Sequence, residues 1–574
     1  MKNLEVSWIL NEIADYMEIL GENIYKIAVY RKASKIIKEL KQDIQDILKE
    51  DRLREIPGIG KALEAKIKEI IETGECAYHR DLKKQIPEDL LELLKIPGLG
   101  AKKIRVIYEN LKVKNIDELK AAAEQKKIRD LRGMGAKTEL NILKGIKMLE
   151  DNRAFTILGI ALPIAESIID ILKRVEGVEE IEITGEIRRK REMVRQIELL
   201  ALTENPHITK KVFKQMPGIK EVLEETPNRC SIFLDVGIKA DLEITKERNE
   251  FISALYYSTG SDKHIAKMVS IAGTLGYRIL KNETIDINDK KITVEKEQDV
   301  FNILNMPYII PELREDCGEV EAALEGELPK VIDIADIKGD LHIHSNWSDG
   351  INTIEEIAQY ARDLGYKYIA ITDHSKSLAI AKGLTERELL KQIEEIKGLN
   401  SRIKGISVLS GIEVDILMDG TLDYPDNILK ELDIVIASVH TGFKQDKFQM
   451  TNRIIKAMNN RYVNIIAHPT GRLLGKRQGY EVIVDEVLKE ARENNIILEI
   501  NASPDRLDLN DILARKAKEM GVKMAVNTDA HEVLRLEEMR YGVFVAKRAW
   551  LENKDIINTY PLNDLLNLLK IKKV

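Results

Sequence analysis

Cysteine is scarce in this sequence. Its 574 residues hold three, Cys76, Cys230 and Cys317, far apart and with no Cys-x-x-Cys pair. That excludes a disulfide scaffold or a cysteine zinc framework and reads as the reduced thiols of a cytoplasmic protein. Long apolar runs are missing too, so no stretch reaches membrane-spanning length. The start, "MKNLEVSWILNEIADYMEIL", carries acids where a secretion signal would carry none. An overall basic excess is also absent. Net charge is −7, which argues against a surface that binds nucleic acid everywhere. The balance shifts along the chain: residues 1–150 hold 30 Lys and Arg against 26 Asp and Glu, the remainder 59 against 70. Histidine is rare, nine in all, yet six lie beyond residue 340, each after an apolar run.

A chain this long needs three or more cores. Its 44% hydrophobic and 32% charged content is that of a soluble globular protein. The patterning divides it into a helical segment 1–150, a mixed α+β segment 151–318, a Pro-punctuated acidic linker 319–336 and an alternating β/α segment 337–574.

Three stretches of the first segment look alike: "EIPGIGKALEAKI" (55–67), "KIPGLGAKKIRVI" (95–107) and "DLRGMGAKTELNI" (130–142). Each is a helix end, a Gly-x-Gly turn (Gly58 and Gly60, Gly98 and Gly100, Gly133 and Gly135) and a new helix with basic residues near its start. One such turn is also a plain helix connection. Three of them resemble helix-hairpin-helix motifs, which offer backbone N–H groups to DNA phosphate without reading sequence.

The last segment alternates strands and helices, which predicts a barrel of parallel strands with chemistry at the strands' C-terminal ends. Polar residues crowd those ends: His342, His344 and Asp349, then His374, Glu413, His440 and His468, then Asp529 and His531. Residues two apart on a strand share a face, so His342 with His344 and Asp529 with His531 can each serve one ion. Nine N/O donors are too many for one tetrahedral ion and fit two or three divalent ions, with Glu413 able to bridge. Asp373, Asp415, Asn501 and Asn527 read as groups that orient these ligands or form turns. Any one of the nine alone could be an ordinary hydrogen-bonding residue.

This set closely resembles the PHP (polymerase and histidinol phosphatase) domain, with all nine ligand positions filled. The resemblance implies a distorted TIM-like barrel of seven strands. It also implies a manganese or zinc cluster that hydrolyses phosphoesters, with His342, His344, Glu413, Asp529 and His531 at its catalytic heart. Arg472, Lys476, Arg477 and Arg506 are candidate phosphate clamps, or else a solvated basic loop.

The segment order resembles bacterial family X DNA polymerases over essentially the whole chain. "NIYKIAVYRKASKII", "YYSTGSDKHIAKM" and "MPYIIPELRE" match its first domain, its nucleotide-side turn and the end of its polymerase beta-like palm and thumb. The family's palm uses three aspartates to hold two Mg2+ or Mn2+ ions, two of them in Gly-Asp-x-Asp. Here that pair is Gln196 and Glu198 in "GEIRRKREMVRQIELL", and only Asp241 survives. Glu243 replaces an expected Arg, Glu186 an expected Ser, and Ile265 a polar nucleotide contact. Gln196 offers no charge, and Glu198 shifts its oxygens by about 1 Å, an error costing on the order of 100-fold in such a site. Polymerisation is therefore expected to be absent or severely impaired. The alternative is a weak polymerase using Glu198 and Asp241. Arg188 and Arg189 remain as DNA or phosphate ligands, or as a basic surface strand. By resemblance, Lys26, Tyr30 and Lys66 fall where relatives bind a 5′-phosphate. Lys66, at the family's Schiff-base position, reads as a solvated helix lysine.

These readings converge on a monomeric DNA repair nuclease. Its PHP centre would act at DNA 3′ ends, with incision at abasic sites as a further option, on gapped or nicked DNA held by the rest of the chain. A gap-filling polymerase with a proofreading PHP domain is the second reading, and a non-catalytic DNA scaffold the third.

Overall fold

The computed structural model describes residues 2–570 except Lys41, Asp51, Pro57, Pro97, Gly98, Ala154 and 287–289. The chain forms two compact units, residues 1–154 and 155–574.

The first unit is helical around its own apolar core, built from residues such as Leu10, Ile67, Ile104 and Leu119. Its three glycine turns are built alike. Ile59 N–H bonds Ile56 C=O at 3.1 Å, Leu99 bonds Ile96 at 3.1 Å and Met134 bonds Leu131 at 3.0 Å. Gly60, Gly100 and Gly135 then accept from Leu63, Lys103 and Thr138, opening the helices Lys61–Thr73, Ala101–Leu111 and Ala136–Arg153. Gly58 and Gly133 need their glycines, at φ +89° and +80°. A Cβ at Gly60, Gly100, Gly133 or Gly135 would touch nothing, so these turns face open space. Gly60 and Gly100 give their helices no side-chain cap, which leaves first-turn N–H groups to an outside acceptor. Gly98 lies outside the described residues.

The second unit begins with the middle sheet. Its strands are β1 (Val178–Ile183), β2 (Gln196–Thr203), β3 (Ile219–Thr226), β4 (Arg229–Leu234) and β5 (Lys239–Thr245), in the order β1-β2-β5-β4-β3. Only β2 and β5 run parallel, with Gln196 opposite Lys239 and Glu198 opposite Asp241. The predicted helix pair forms as Arg248–Thr259 and Asp262–Thr274, and Ser261 Oγ caps the second by accepting from His264 N–H. Three readings change here. The Arg188–Arg189 stretch is a short helical turn, Gly185–Arg188, that tucks both arginines inward rather than a surface strand. "KKITVEKE" supplies only the strand pair Lys291–Ile292 before the helix Glu297–Ile303. The passage 319–336 carries a helix, Glu319–Glu325, whose fully buried Glu319 meets His264 Nδ1 at 2.6 Å.

Seven parallel strands follow: β6 (Gly339–Ile343), β7 (Tyr368–Ile371), β8 (Ser407–Asp415), β9 (Ile434–Ser438), β10 (Ile465–Ile466), β11 (Ile497–Asn501) and β12 (Met524–Asn527), neighbours in that order. Ile343 pairs with Ala530 just past β12, which brings the first strand against the last and nearly closes the barrel. Every residue of these strands is buried except Ser407, as expected for parallel strands covered by helices. One apolar core runs without a break from Leu158, Ile197 and Ala240 of the middle sheet region into Ile343, Ile500 and Val526 of the barrel.

Candidate metal centre

The nine predicted donors meet at one end of the barrel. His342 projects from β6, His344 and Asp349 follow in the loop just after it, and the rest sit near or just beyond the ends of later strands. His468 and Asp529 hold left-handed backbone, φ +29° and +55°, which costs non-glycine residues energy and marks places where side-chain aim matters.

Three groups emerge. His342 Nε2 and His344 Nε2 lie 3.6 and 3.7 Å from Glu413 Oε2, and 3.7 and 3.1 Å from Asp529 Oδ1. His440 Nε2 and His468 Nε2 lie 3.2 and 3.1 Å from the other Glu413 oxygen, Oε1. Asp349 Oδ1 lies 3.6 Å from His374 Nε2 and 3.4 Å from His531 Nε2. Glu413 thus turns one oxygen toward each of two groups, as a bridging carboxylate does.

The site fits metal ions on its own chemistry. His342 Nε2, both nitrogens of His344, His374 Nδ1 and Glu413 Oε2 are buried without a well-formed hydrogen bond, although His374 Nδ1 and Glu413 Oε2 lie 2.7 Å apart. Buried polar groups generally find hydrogen-bond partners, so five such atoms gathered on four residues at one point mark a place for a Lewis acid. Burial, reinforced by His531 and His374, pushes His344 down to about 3, so its imidazole stays neutral and can ligate. Burial would raise Asp349, but His531 and its neighbours outweigh it and hold the carboxyl down at about 2.

A shell of carboxylates and amides aims the ligands. Glu499 Oε1 meets His342 Nδ1 at 2.8 Å, and Asp415 Oδ1 meets His440 Nδ1 at 2.6 Å, turning both Nε2 atoms inward. Asn501 Nδ2 donates to Asp529 Oδ2 at 3.1 Å, and Asn527 Nδ2 to Glu499 Oε1 at 3.0 Å. Asp373 instead accepts from Ser345, Ser348 and Gln392, which fastens the loop after β6. Glu499 is the residue that the sequence reading missed. Its signal is an acid two residues before Asn501 inside an apolar strand, hence on the same face.

The middle sheet arranges its acids differently. Gln196 Nε2 donates to Glu198 Oε1 at 3.1 Å. Asp241 Oδ2 accepts from Arg229 Nη2 at 2.8 Å and Lys239 Nζ at 2.9 Å, and its Oδ1 from Ser231 Oγ. Burial raises Glu198, which favours its neutral form. Its carboxylate packs on Gly185, where φ is +61° and a Cβ would collide with it. Ile265 is buried in the core formed with Phe251 and Val300.

The candidate phosphate ligands are scattered. Arg188 forms a two-pronged pair with Glu297 at 2.9 and 3.0 Å, and Arg189 Nε donates to Glu315 at 3.0 Å. Arg472 is similarly taken, by Glu192 at 3.0 and 2.6 Å. Protein carboxylates occupy the forks of Arg188 and Arg472, and Arg189 is buried against Glu315, so none of these three stands as a free clamp. Arg506 does reach the centre, with Nε 3.6 Å from Asp529 Oδ2. Lys476 is exposed beside Asp505, and Arg477 donates to Gly471 C=O. In the first unit, Tyr30 stacks on Tyr78 (centroids 6.3 Å apart), and half-buried Lys66 lies with Nζ 5.1 Å from the same ring centroid. Lys26 is exposed beside Glu22. Among the described residues, no helix is long and apolar enough to cross a membrane.

Comparison with known proteins finds four family matches along the chain. Residues 1–76 match a helix-hairpin-helix domain, 90–148 a SAM-like helix-hairpin-helix tandem, 254–315 the DNA polymerase beta thumb and 340–503 the PHP domain. The chain is 38% identical over 575 residues to the DNA polymerase/3'-5' exonuclease PolX of Bacillus subtilis (strain 168), covering 99% of this chain and 100% of that one. A probable phosphatase of Thermoanaerobacter sp. (strain X514) is 35% identical over 245 residues, 41% of this chain and 95% of its own length. One from Caldanaerobacter subterraneus subsp. tengcongensis is 36% identical over 203 residues, 33% of this chain and 75% of its own.

Proposed function

This chain belongs to the family X DNA polymerases of the polymerase/3'-5' exonuclease type, and we propose that it is a repair enzyme whose working centre is the barrel. It hydrolyses phosphodiester bonds at DNA 3′ ends with manganese or zinc, and its polymerase activity is absent or severely impaired. The observation that carries this reading is a contrast. The barrel's donors converge with several buried atoms lacking a well-formed hydrogen bond, while Asp241 is engaged by Arg229 and Lys239 and lies opposite Glu198, with Gln196 where another aspartate is needed.

Bound ions supply Lewis acidity toward the scissile phosphate and lower the pKa of water. The chain's residues do the rest. Glu499 and Asp415 hold the Nδ1–H of His342 and His440 so that each Nε2 is presented inward. Glu413 ties two groups of ligands together, and the Arg506 guanidinium stands at the rim, where it can donate to a phosphate oxygen. The open glycine turns of the first unit grip backbone phosphates of gapped or nicked DNA without reading sequence.

A second reading, a gap-filling polymerase with a proofreading barrel, draws support from the full-length likeness to the Bacillus protein. A labelled primer on a gapped template with manganese, with and without dNTPs, separates the two. Shortening that vanishes in His342→Ala and Asp529→Asn supports the hydrolase. Extension that survives those changes and is lost in Asp241→Ala overturns the reading of the middle sheet. Neither product leaves a DNA-binding scaffold.

A further inference from the structure

The middle sheet region does more than adjoin the barrel, because it touches the loop that carries Arg506. Glu192, in the short stretch between the Gly185–Arg188 turn and β2, holds Arg472 through both guanidinium prongs at 3.0 and 2.6 Å. The same Arg472 donates to the backbone carbonyl of Leu507, the residue after Arg506. The Asp508 carboxylate binds the loop from the other side, accepting from Thr470 N–H at 3.0 Å and Gly471 N–H at 2.8 Å. Gly159, at the start of the helix Leu158–Leu172, packs on Pro504 so closely that a Cβ there would collide with the ring. Leu158 N–H in turn bonds Glu192 C=O at 2.9 Å. Backbone, ion pair and packing therefore fix residues 503–508 to a part of the chain over 300 residues earlier.

We propose that Glu192 is a positioning residue for the hydrolytic centre, acting through Arg472 to hold the 503–508 loop so that Arg506 faces the Asp529 side of the metal ligands. The inference rests on the barrel being the hydrolytic centre. A two-pronged pair suits this role because it fixes both the distance and the plane of Arg472, and so the carbonyl that Arg472 grips. Loss of Glu192 frees Arg472 and lets the loop and Arg506 drift. A displacement of about 1 Å at a group that meets the transition state costs up to about 100-fold. DNA affinity, which draws on the first unit, stays in place. The region that resembles a polymerase palm thus becomes a structural part of a nuclease.

The test uses the full-length protein, manganese and a labelled 3′-ended DNA. Glu192→Ala is expected to lower kcat about tenfold or more with KM and bound metal per chain little changed, and Glu192→Gln, which keeps one acceptor for Arg472, to lose less. In an Arg506→Ala background, Glu192→Ala should add nothing, because both act through the same guanidinium. Glu166→Ala breaks another contact between these regions, with Arg540 at 3.2 Å, and should leave kcat at the parent value. Hydrolysis that needs Asp529 but is indifferent to both Glu192 variants overturns the inference alone. So do losses that multiply in the double variant, or an equal loss in Glu166→Ala. Hydrolysis indifferent to Asp529→Asn overturns the underlying reading instead.

Discussion

The middle sheet and the barrel both set acids on neighbouring parallel strands, yet they treat those acids in opposite ways. In the sheet, β2 and β5 bring Glu198 opposite Asp241, and the protein neutralises Asp241 itself, with Arg229, Lys239 and Ser231. In the barrel, carboxylates and imidazoles of comparable burial are held in position by Glu499, Asp415 and Asn501, and several inward atoms, on His342, His344, His374 and Glu413, make no well-formed hydrogen bond. A carboxylate satisfied by the chain has little to offer an ion, since binding would first break its existing pairs. A donor left unsatisfied at a buried point gains its partner only when an ion arrives. The two sites differ less in their acids than in what already touches them.

That comparison can be broken in several places. The largest effect belongs to the barrel: His342→Ala or Asp529→Asn should cut hydrolysis by about a thousandfold, roughly 4 kcal/mol of transition-state stabilisation, with DNA binding retained. Loss of binding together with hydrolysis would mean the barrel grips DNA rather than cleaves it. Removing metal with a chelator should abolish hydrolysis to the same extent, and manganese or zinc should restore it. In the sheet, Gln196→Asp with Glu198→Asp should still not extend a primer, because Arg229 and Lys239 keep hold of Asp241. Robust extension by that double variant would show that the acids alone had been limiting.

Acid should expose the electrostatics of the thumb-like part next. Burial would raise Glu297, but Arg314 and Arg188 outweigh it and hold the carboxyl down at about 2. A depressed carboxyl adds stability that is complete above its unfolded pKa, near 4.5, and is lost as pH falls toward 2. The contribution is about 3 kcal/mol. Acid unfolding of the parent should therefore be steeper between pH 4.5 and 2 than that of Glu297→Gln, and parallel curves would contradict the assignment. The smallest effect is expected from Asp241→Ala. It leaves hydrolysis unchanged and lowers stability by about 1 to 2 kcal/mol, because Lys239 and the exposed Arg229 lose their partner.

The nine barrel donors were legible because their signal is local: an apolar run that ends in His, Asp or Glu places that side chain at the strand's C-terminal end whatever the rest of the chain does. The glycine turns were legible for the same reason, since positive φ and a free helix start are properties of a few consecutive residues. What stayed hidden depends on partners far away in sequence. Arg472 reads as a phosphate clamp in "HPTGRLLGKRQGY", and nothing local announces Glu192. Arg188 and Arg189 read as a surface pair until the fold brings Glu297 and Glu315 to them. The neutralisation of Asp241 needs Arg229 from an adjacent strand, and strand pairing sets that contact. The acidic passage 319–336 reads as a tether because its buried pair, Glu319 with His264, joins residues 55 apart.

The most direct test counts divalent ions. Full-length protein equilibrated with manganese, dialysed and assayed for metal per chain, is compared with His342→Ala, His374→Ala and Asp241→Ala. Ions should be lost in the two barrel variants and unchanged in Asp241→Ala. Loss in Asp241→Ala with retention in the barrel variants would place the metal in the middle sheet and contradict the account.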